Sequence, residues 1–344
     1  MWDYLSSFTV YQLKERLSIA GLQQSGNKSD LIERLKEHLY SEKVSNDVEK
    51  MKQLMHDYFS NIENYGDKKL IDKLNNRISG KLESKGMTKR QYVDYLFHLA
   101  EKRIRSNGKN VFLMNIGSSG SHWIEAMLED YPEISCVNEV YFPKILRKKV
   151  VNFDSYSLNL MMNVINLAHL KQDEELHFDK IIVNSAHVLG TDFYKKCDIK
   201  CMCIMLARDP YDIVVSRTFR KDAYRKYIAP EATDLEYLDL NIFRVNRFYT
   251  RNSEKDFNAV VKYEDFTQNG DTELRNLLKV IGIRKINDGL IEEIIYKHDR
   301  NNILSGKSKN SANLFTGKRK KVPKLMREKI IHELDEVRRL LGYV

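Results

Sequence analysis

The ten residues ARDPYDIVVS, at positions 207–216, decide the fold. The apolar, β-compatible run before them, residues 199–207, is typical of a buried strand of a parallel sheet. Asp209-Pro210 ends that strand, and the following residues predict a helix. Arg208 therefore lies at the carboxyl end of a strand, and Ser216 lies about two turns into the next helix. A guanidinium and a hydroxyl in these places can converge on one phosphate group. The structural alternative is an arginine that caps the strand.

A second strand, loop and helix lie upstream. Residues 110–115 predict another short apolar strand, residues 116–123 (IGSSGSHW) a Gly/Ser loop, and residues 124–130 a helix. A loop of this kind directs backbone N–H groups and the positive end of a helix dipole towards a phosphate. The Gly-Lys-Ser/Thr ending of nucleoside triphosphatase loops is missing. An ordinary connection is the alternative, so the phosphate interpretation depends on the motif at residues 207–216.

Strands and helices alternate along residues 109–344. A further strand is predicted at residues 180–185, and further helices at residues 152–170, 213–227, 235–250 and 273–281. This order predicts an α/β fold, a P-loop-like parallel sheet flanked by helices, preceded by a small all-α N-terminal region. Ligands of such sheets bind at the carboxyl ends of the strands. The loop at 118–123, Arg208 and His187 are all predicted at that edge.

Together the motifs resemble those of one family, the PAPS-dependent sulfotransferases. Residues 119–123 (SGSHW) resemble the Ser-Gly-Thr-Thr-Trp part of its 5′-phosphosulfate loop, and residues 208–216 resemble its 3′-phosphate motif, with Arg, Asp-Pro and Ser in register. Residues 260–266 are similar to its Tyr-Glu-Asp strand end, and residues 127–139 to a segment of the tyrosylprotein sulfotransferases. The resemblance covers residues 110–340 and implies a sulfotransferase-like catalytic domain.

The resemblance implies PAPS (3′-phosphoadenylyl sulfate, which leaves PAP as product) as cofactor, a hydroxyl or amine acceptor of unknown identity, and no metal. Its implied cofactor-binding residues in the loop are Ser118, Ser119, Gly120, Ser121, His122 and Trp123. Arg208 and Ser216 would bind the 3′-phosphate. The basic loop that would close over this phosphate contains Gly317, Lys318 and Arg319, with a solvated charge run as the alternative. Tyr263 is a candidate for contact with adenine, and core packing explains it equally well.

One departure from the family pattern bears on catalysis. The family's loop carries a lysine or arginine where this chain has Ser118, and a second lysine common near residues 183–187 is also absent. That cation stabilises charge on the leaving group in the transition state. Two interpretations follow: a sulfotransferase whose cation comes from elsewhere, or a catalytically weak or inactive module that binds PAP, PAPS or another polyanion.

Sulfuryl transfer also needs a base for the acceptor. Glu139 lies where the tyrosylprotein branch places its catalytic glutamate, and His187 lies where cytosolic sulfotransferases place their catalytic histidine. Both are therefore candidate catalytic residues. A surface ion pair is the alternative for Glu139, and a structural buried histidine is the alternative for His187.

Composition sets limits on the class of protein. With 344 residues, 42% hydrophobic and 31% charged, the chain predicts a soluble globular protein. The net charge of +9 favours an anionic partner such as PAPS, nucleic acid, a sulfated glycan or an acidic peptide. No run is long and apolar enough to cross a membrane, and the N-terminus lacks signal-peptide features. Together with four cysteines, which we interpret as core thiols rather than a metal site, this predicts a cytoplasmic protein without membrane contact.

The N-terminal hundred residues predict helices only. Residues 8–40 resemble the SAP module, a helix–turn–helix hairpin associated with nucleic acids, and the expected N-cap of its first helix is Thr9. Three roles stay open for the hairpin: nucleic-acid binding through Lys14, Lys28 and Arg34, docking on a protein partner, or packing on the enzyme domain. The expected organisation is a hairpin at 1–40, a helical linker or collar at 41–108, and the catalytic domain at 109–344.

Overall fold

The structure is a computed structural model. It describes residues 3–41, 46–65, 68–106, 108–140, 144–150, 152–186, 191–198, 200–219, 225, 229–253, 257–299, 302–303 and 322–344. His187, Gly317, Lys318 and Arg319, all predicted to be site residues, lie outside this part of the chain.

The described elements follow the predicted order of an all-helical start and then alternating strands and helices. The strands are β1 (Lys109–Met114), β2 (Ile134–Glu139), β3 (Ile181–Ala186), β4 (Met202–Ala207) and β5 (Ala259–Lys262). The helices are α1 (Val10–Ile19), α2 (Lys28–Ser41), α3 (Asn46–Ser60), α4 (Lys68–Lys85), α5 (Lys89–Arg105), α6 (Ser121–Glu129), α7 (Lys144–Lys149), α8 (Ser155–Ala168), α9 (Glu174–His177), α10 (Thr191–Cys197), α11 (Pro210–Thr218), α12 (Asp234–Asn252), α13 (Tyr263–Gln268), α14 (Gly270–Ile281), α15 (Asp288–His298) and α16 (Lys324–Leu340). Two short 3-10 helices are Asp3–Ser7 and Ile62–Tyr65.

The five strands form one sheet in the order β2-β3-β1-β4-β5. β2 pairs with β3 in parallel, as β4 does with β5. Every residue of β1 and β4 is buried, as expected for central strands covered on both faces. The predicted fold class, a parallel sheet flanked by helices after a helical N-terminal region, is confirmed.

Local capping fixes several helix ends. Thr9 and Thr88 each accept a hydrogen bond from the residue three positions on and form complete capping boxes, so Thr9 is the predicted N-cap. The helix after β4 begins at Pro210, earlier than the predicted start at residue 213. Its first turn is stabilised by the Asp209 side chain, which accepts a hydrogen bond from the N–H of Tyr211.

The chain divides into two compact units. Unit 1 contains residues 1–112 and 132–203, and unit 2 contains residues 113–131 and 204–344. The division passes through strands β1 and β4. The loop after β1 and the motif after β4 therefore both belong to unit 2.

In unit 1 the SAP-like hairpin packs on the rest of the unit through buried groups. Arg16 is 1% exposed, and its Nη2 donates to the carbonyl of Cys201 at 2.8 Å. Lys195 is equally buried and pairs with Glu15 at 2.6 Å. The hairpin is thus joined to the sheet region of unit 1 by two polar contacts whose cationic side chains, Arg16 and Lys195, are buried.

A buried polar network stabilises the centre of unit 1. Arg103 donates to the carbonyls of Lys109 and Lys180 at 2.6 and 2.7 Å and to Asn163 at 2.8 Å. Asn110 connects Asn163 to Asp198, at 3.0 and 2.7 Å. Each polar group gains a partner inside the protein, which offsets the cost of its burial. All four cysteines are buried in this unit as free thiols, Cys136, Cys197, Cys201 and Cys203.

The core of unit 2 lies between α11, α12 and α16. Its buried members include Ile213, Val245 and Leu334. Within the described residues, no helix is long and apolar enough to cross a membrane.

Candidate nucleotide-binding site

The loop after β1 begins with a tight turn. The N–H of Ser119 donates to the carbonyl of Ile116 at 3.1 Å, which closes a four-residue turn. Ser118, the third residue of the turn, has a φ of 81°, a left-handed value that a serine rarely adopts. The loop thus contains a strained residue at the place where the sulfotransferase pattern would have a cation.

Gly120 ends the loop and requires a glycine for two reasons. Its φ is 92°, and a Cβ atom built there would lie 2.4 Å from Cδ2 of Tyr263. Helix α6 starts at the next residue, and its N-cap, Gly120, has no side chain with which to cap the first turn. The positive end of the α6 dipole therefore faces the loop without a side-chain oxygen from the N-cap position.

Arg208 reaches the loop from the end of β4. Its Nη1 donates to the carbonyl of Ser118 at 2.9 Å, and its Nη2 lies 3.6 Å from a carboxylate oxygen of Asp212. The guanidinium stacks over the ring of Tyr263, with 4.4 Å between the guanidinium carbon and the ring centroid. The two motifs that the sequence predicts to bind phosphate are therefore in direct contact.

Tyr249 joins the same two segments from α12. Its hydroxyl accepts from the Arg208 N–H at 3.2 Å and lies 3.3 Å from the Arg208 carbonyl. Burial raises the pKa of Tyr249, so the phenol stays protonated. The hydrogen bonds to the Arg208 backbone and to the Ser119 side chain oppose this shift without reversing it.

Asp209, the acidic residue directly after Arg208, has a structural role. Both of its carboxylate oxygens accept from Arg338 of α16, at 2.9 and 3.0 Å. Its N–H donates to Glu264 at 3.0 Å, and the other oxygen of Glu264 accepts from Tyr343 at 2.7 Å. This chain of contacts holds the start of α11 in place and thereby orients Arg208.

Trp123 and His122 occupy different environments on α6. The indole Nε1 of Trp123 donates to the carbonyl of His298 at 2.9 Å, and the ring packs edge-on against Tyr263. His122 is half exposed, and its Nδ1 lies 3.4 Å from the buried carboxylate of Glu125. Trp123 therefore packs beneath the loop against Tyr263, while the His122 side chain is exposed to solvent.

The remaining predicted residues are distributed between the two units. Ser216 lies on α11, partly exposed, in unit 2. Glu139 is the last residue of β2 in unit 1, and its backbone pairs with Ser185 of β3. Among the described residues no cluster of three or more His, Cys, Asp or Glu could hold a metal ion.

Two site residues were missed by sequence reasoning. Arg217 donates to the carbonyl of Gly117 at 3.0 Å and to Asn241 at 3.1 Å. The sequence signal was an arginine directly after Ser216. Arg338 was missed as well, because its partner Asp209 lies 129 residues away in the sequence.

Comparison with known protein families identifies two domains in the chain. The profile of the Sulfotransferase domain family matches residues 108–337. The chain belongs to the sulfotransferase domain family. The SAP domain profile matches residues 5–39, so both resemblances predicted from the sequence are confirmed.

Solved sulfotransferases show distant similarity. Mouse sulfotransferase SULT7A1, solved in complex with PAP, is 15% identical with a TM-score of 0.43, over 71% of this chain and 92% of that chain. Sulfotransferase STF9 from Mycobacterium avium is 9% identical with a TM-score of 0.44, over 97% and 96%. The sulfotransferase domain of the Synechococcus PCC 7002 olefin synthase is 13% identical with a TM-score of 0.38, over 67% and 95%. No curated protein sequence matches the chain.

Proposed function

We propose that this sulfotransferase is PAPS-dependent and moves a sulfuryl group from PAPS to a hydroxyl or amine acceptor. The observation that carries the proposal is the hydrogen bond from Arg208 to the Ser118 carbonyl, at 2.9 Å. It brings the residue proposed for the 3′-phosphate next to the loop proposed for the 5′-phosphosulfate. Arg208 and the loop both belong to unit 2, so these proposed cofactor residues lie within one compact unit.

Two features of the site fit an anionic cofactor. The Nε of Arg208 is buried, and it has no hydrogen-bond partner among the described residues. The first turn of α6 has no side-chain cap from Gly120. A phosphate oxygen can accept from Nε of Arg208, and it is favoured by the guanidinium charge and the helix dipole.

Each residue then has a defined task. The loop from Ser118 to Trp123 holds the 5′-phosphosulfate, and Arg208 holds the 3′-phosphate together with Ser216. Tyr263 supports the Arg208 guanidinium and stays a candidate for contact with adenine. PAPS supplies the activated sulfuryl group and leaves as PAP. Glu139, at the carboxyl end of β2, is the proposed base that takes the acceptor proton, with His187 as the other candidate.

The test of the 3′-phosphate site is the Arg208→Ala variant. A charge-assisted pair of this kind is worth about 1.5–3 kcal/mol, so PAP affinity should fall at least about tenfold in calorimetry. Arg247→Ala, on the exposed face of α12, is the matched control and should bind PAP like the wild type. Undiminished PAP affinity in Arg208→Ala would remove Arg208 from the site.

Turnover separates the enzyme from a silent binding module. Labelled PAPS is incubated with a panel of hydroxyl and amine acceptors, using wild type and Glu139→Gln. We expect transfer by the wild type, and a loss in Glu139→Gln at unchanged PAP affinity. PAP binding without transfer to any acceptor would favour the catalytically inactive module.

The structure favours the third role considered for the hairpin, packing on the enzyme. Residues 1–40 contain five basic and five acidic residues, so the hairpin carries no net positive charge. Lys28 and Arg34 donate to backbone carbonyls within the N-terminal segment, at 2.7 Å to Ser6 and 2.6 Å to Gln23. We therefore propose that the hairpin stabilises unit 1. Salt-dependent binding of an RNA or DNA oligonucleotide that is lost in Lys14→Ala would contradict this role.

A further inference from the structure

Arg217 holds the loop from the side of α11. It is 6% exposed, and its Nη1 donates to the Gly117 carbonyl at 3.0 Å. Arg208 donates to the next carbonyl, that of Ser118. Two guanidinium groups thus bind consecutive carbonyls of the same turn.

The turn has the features of type II. Ser119 donates to Ile116, Ser118 has a φ of 81°, and Gly117 is not left-handed. A type II turn needs a positive φ at its third residue, where glycine is the usual occupant. With serine there, the turn is strained and depends on contacts from outside.

Arg217 binds the one peptide group whose direction defines this turn. The Gly117 carbonyl belongs to the central peptide, which is flipped in type II relative to type I. The peptide is trans, so the Ser118 N–H points away from its carbonyl and hence away from Arg217. The bond to Arg217 therefore fixes the side of the loop to which the Ser118 N–H is directed.

Asn241 fixes the guanidinium in turn. It is fully buried on α12, and its Nδ2 donates to the Tyr237 carbonyl at 3.0 Å and to Thr218 at 3.3 Å. With the amide nitrogen used in this way, its Oδ1 is left to accept from Nε of Arg217 at 3.1 Å.

We propose that Arg217, oriented by Asn241, is a positioning residue that keeps the turn at residues 116–119 in its anion-binding form. The anion is the 5′-phosphosulfate group, so this inference rests on the proposed function. Because Ser118 stands where the family's loop has a cation, the anion depends more on correctly directed backbone N–H groups here than in a loop with that cation.

The test is a double-mutant cycle between Arg217→Met and Ser118→Gly, read by PAP calorimetry. Arg217→Met should lower PAP affinity about tenfold, and adding Ser118→Gly should restore it to within about threefold, because glycine adopts the turn without support. Arg247→Met is the control and should bind as wild type. Arg217→Met with full affinity, or a loss that Ser118→Gly does not repair, overturns the proposal.

A second readout does not depend on the nucleotide. Ser118→Gly should raise the melting temperature of the wild type by about 2 °C, and raise it less in Arg217→Met, where the turn has already relaxed. Equal melting-temperature shifts in the wild type and in Arg217→Met overturn the proposal.

If Arg217→Met does not fold, Asn241→Ala replaces it in both cycles, with a smaller affinity loss of about threefold expected. If the wild type does not bind PAP but the two melting-temperature shifts differ, the proposed function is refuted and the role of Arg217 in holding the turn is supported.

Discussion

At Gly120 the ring of Tyr263 fills the space that a Cβ would need. We predict that Gly120→Ala is destabilising by at least about 2 kcal/mol, because the clash at 2.4 Å adds to the strain of a left-handed alanine. Gly86 is the matched control: its φ is 62°, and nothing lies within 4 Å of its Cβ position. Gly86→Ala should cost only about 1 kcal/mol in urea unfolding. Equal losses in the two variants would contradict the close contact.

His169 predicts a pH dependence of stability. Burial lowers its pKa to about 4, although its hydrogen bond to the Ile165 carbonyl opposes the shift. Between about pH 6.5 and pH 4 this histidine is protonated in the unfolded chain but neutral in the folded chain. The free energy of unfolding therefore falls as the pH drops through this range.

The variant His169→Asn isolates this effect. Between pH 7 and pH 4.5 the wild type should lose roughly 2–3 kcal/mol more of its free energy of unfolding than the variant loses, because only the wild type has this histidine. Urea unfolding of both proteins at the two pH values measures it. A difference that does not change with pH would contradict a neutral buried histidine.

Individual residues were predictable where their role is local. Thr9 and Thr88 are N-caps because a threonine hydroxyl binds an amide only three residues away. The left-handed Ser118 was not predictable, because serine has no preference for a positive φ. The role of Arg217 was not predictable either, since its partner Gly117 is 100 residues distant.

At the scale of elements, α16 anchors α11 through Arg338 and Asp209. The pair is bidentate and largely buried, at 15% and 21% side-chain exposure. We predict that Arg338→Met lowers stability by about 1–3 kcal/mol and weakens PAP binding, because Arg208 loses its support. Arg339→Met is a neighbouring control, since its pair with Asp335 is exposed and should contribute little to stability. Equal effects from the two arginines would contradict the anchoring role.

The hairpin formed by α1 and α2 is expected to fold with unit 1. We predict that Arg16→Met lowers stability by about 1–3 kcal/mol, because it leaves the buried Cys201 carbonyl without this donor. Lys14→Met, on the exposed side of the same helix, should change stability by less than about 0.5 kcal/mol. Thermal unfolding that is the same in both variants would mean that the hairpin is an independent module.

The elements themselves were largely readable from the sequence. Apolar runs identified β1 and β4 because central strands are buried along their whole length. The helix after β4 was placed too late, since Asp209 and Pro210 were assigned only to the end of the strand. Both residues in fact start α11, one as cap and one as first residue.

For the whole molecule, the sequence predicted the fold and placed the loop and Arg208 at the same edge of the sheet, where the carboxyl ends of parallel strands lie. The division into two units cuts through both strands and follows no break in composition. It could not be predicted, because it depends on packing between distant segments. The candidate base Glu139 lies in unit 1, while the proposed cofactor residues of the loop and Arg208 lie in unit 2.

The most direct test of the central claim is calorimetric titration of the wild type with PAP and with ADP, which lacks the 3′-phosphate. A site in which Arg208 binds that phosphate predicts at least about tenfold tighter binding of PAP. ATP with magnesium should bind no better than ADP, because the loop lacks the lysine of a nucleoside triphosphatase. Equal affinity for PAP and ADP would contradict the 3′-phosphate site, and with it the assignment of PAPS.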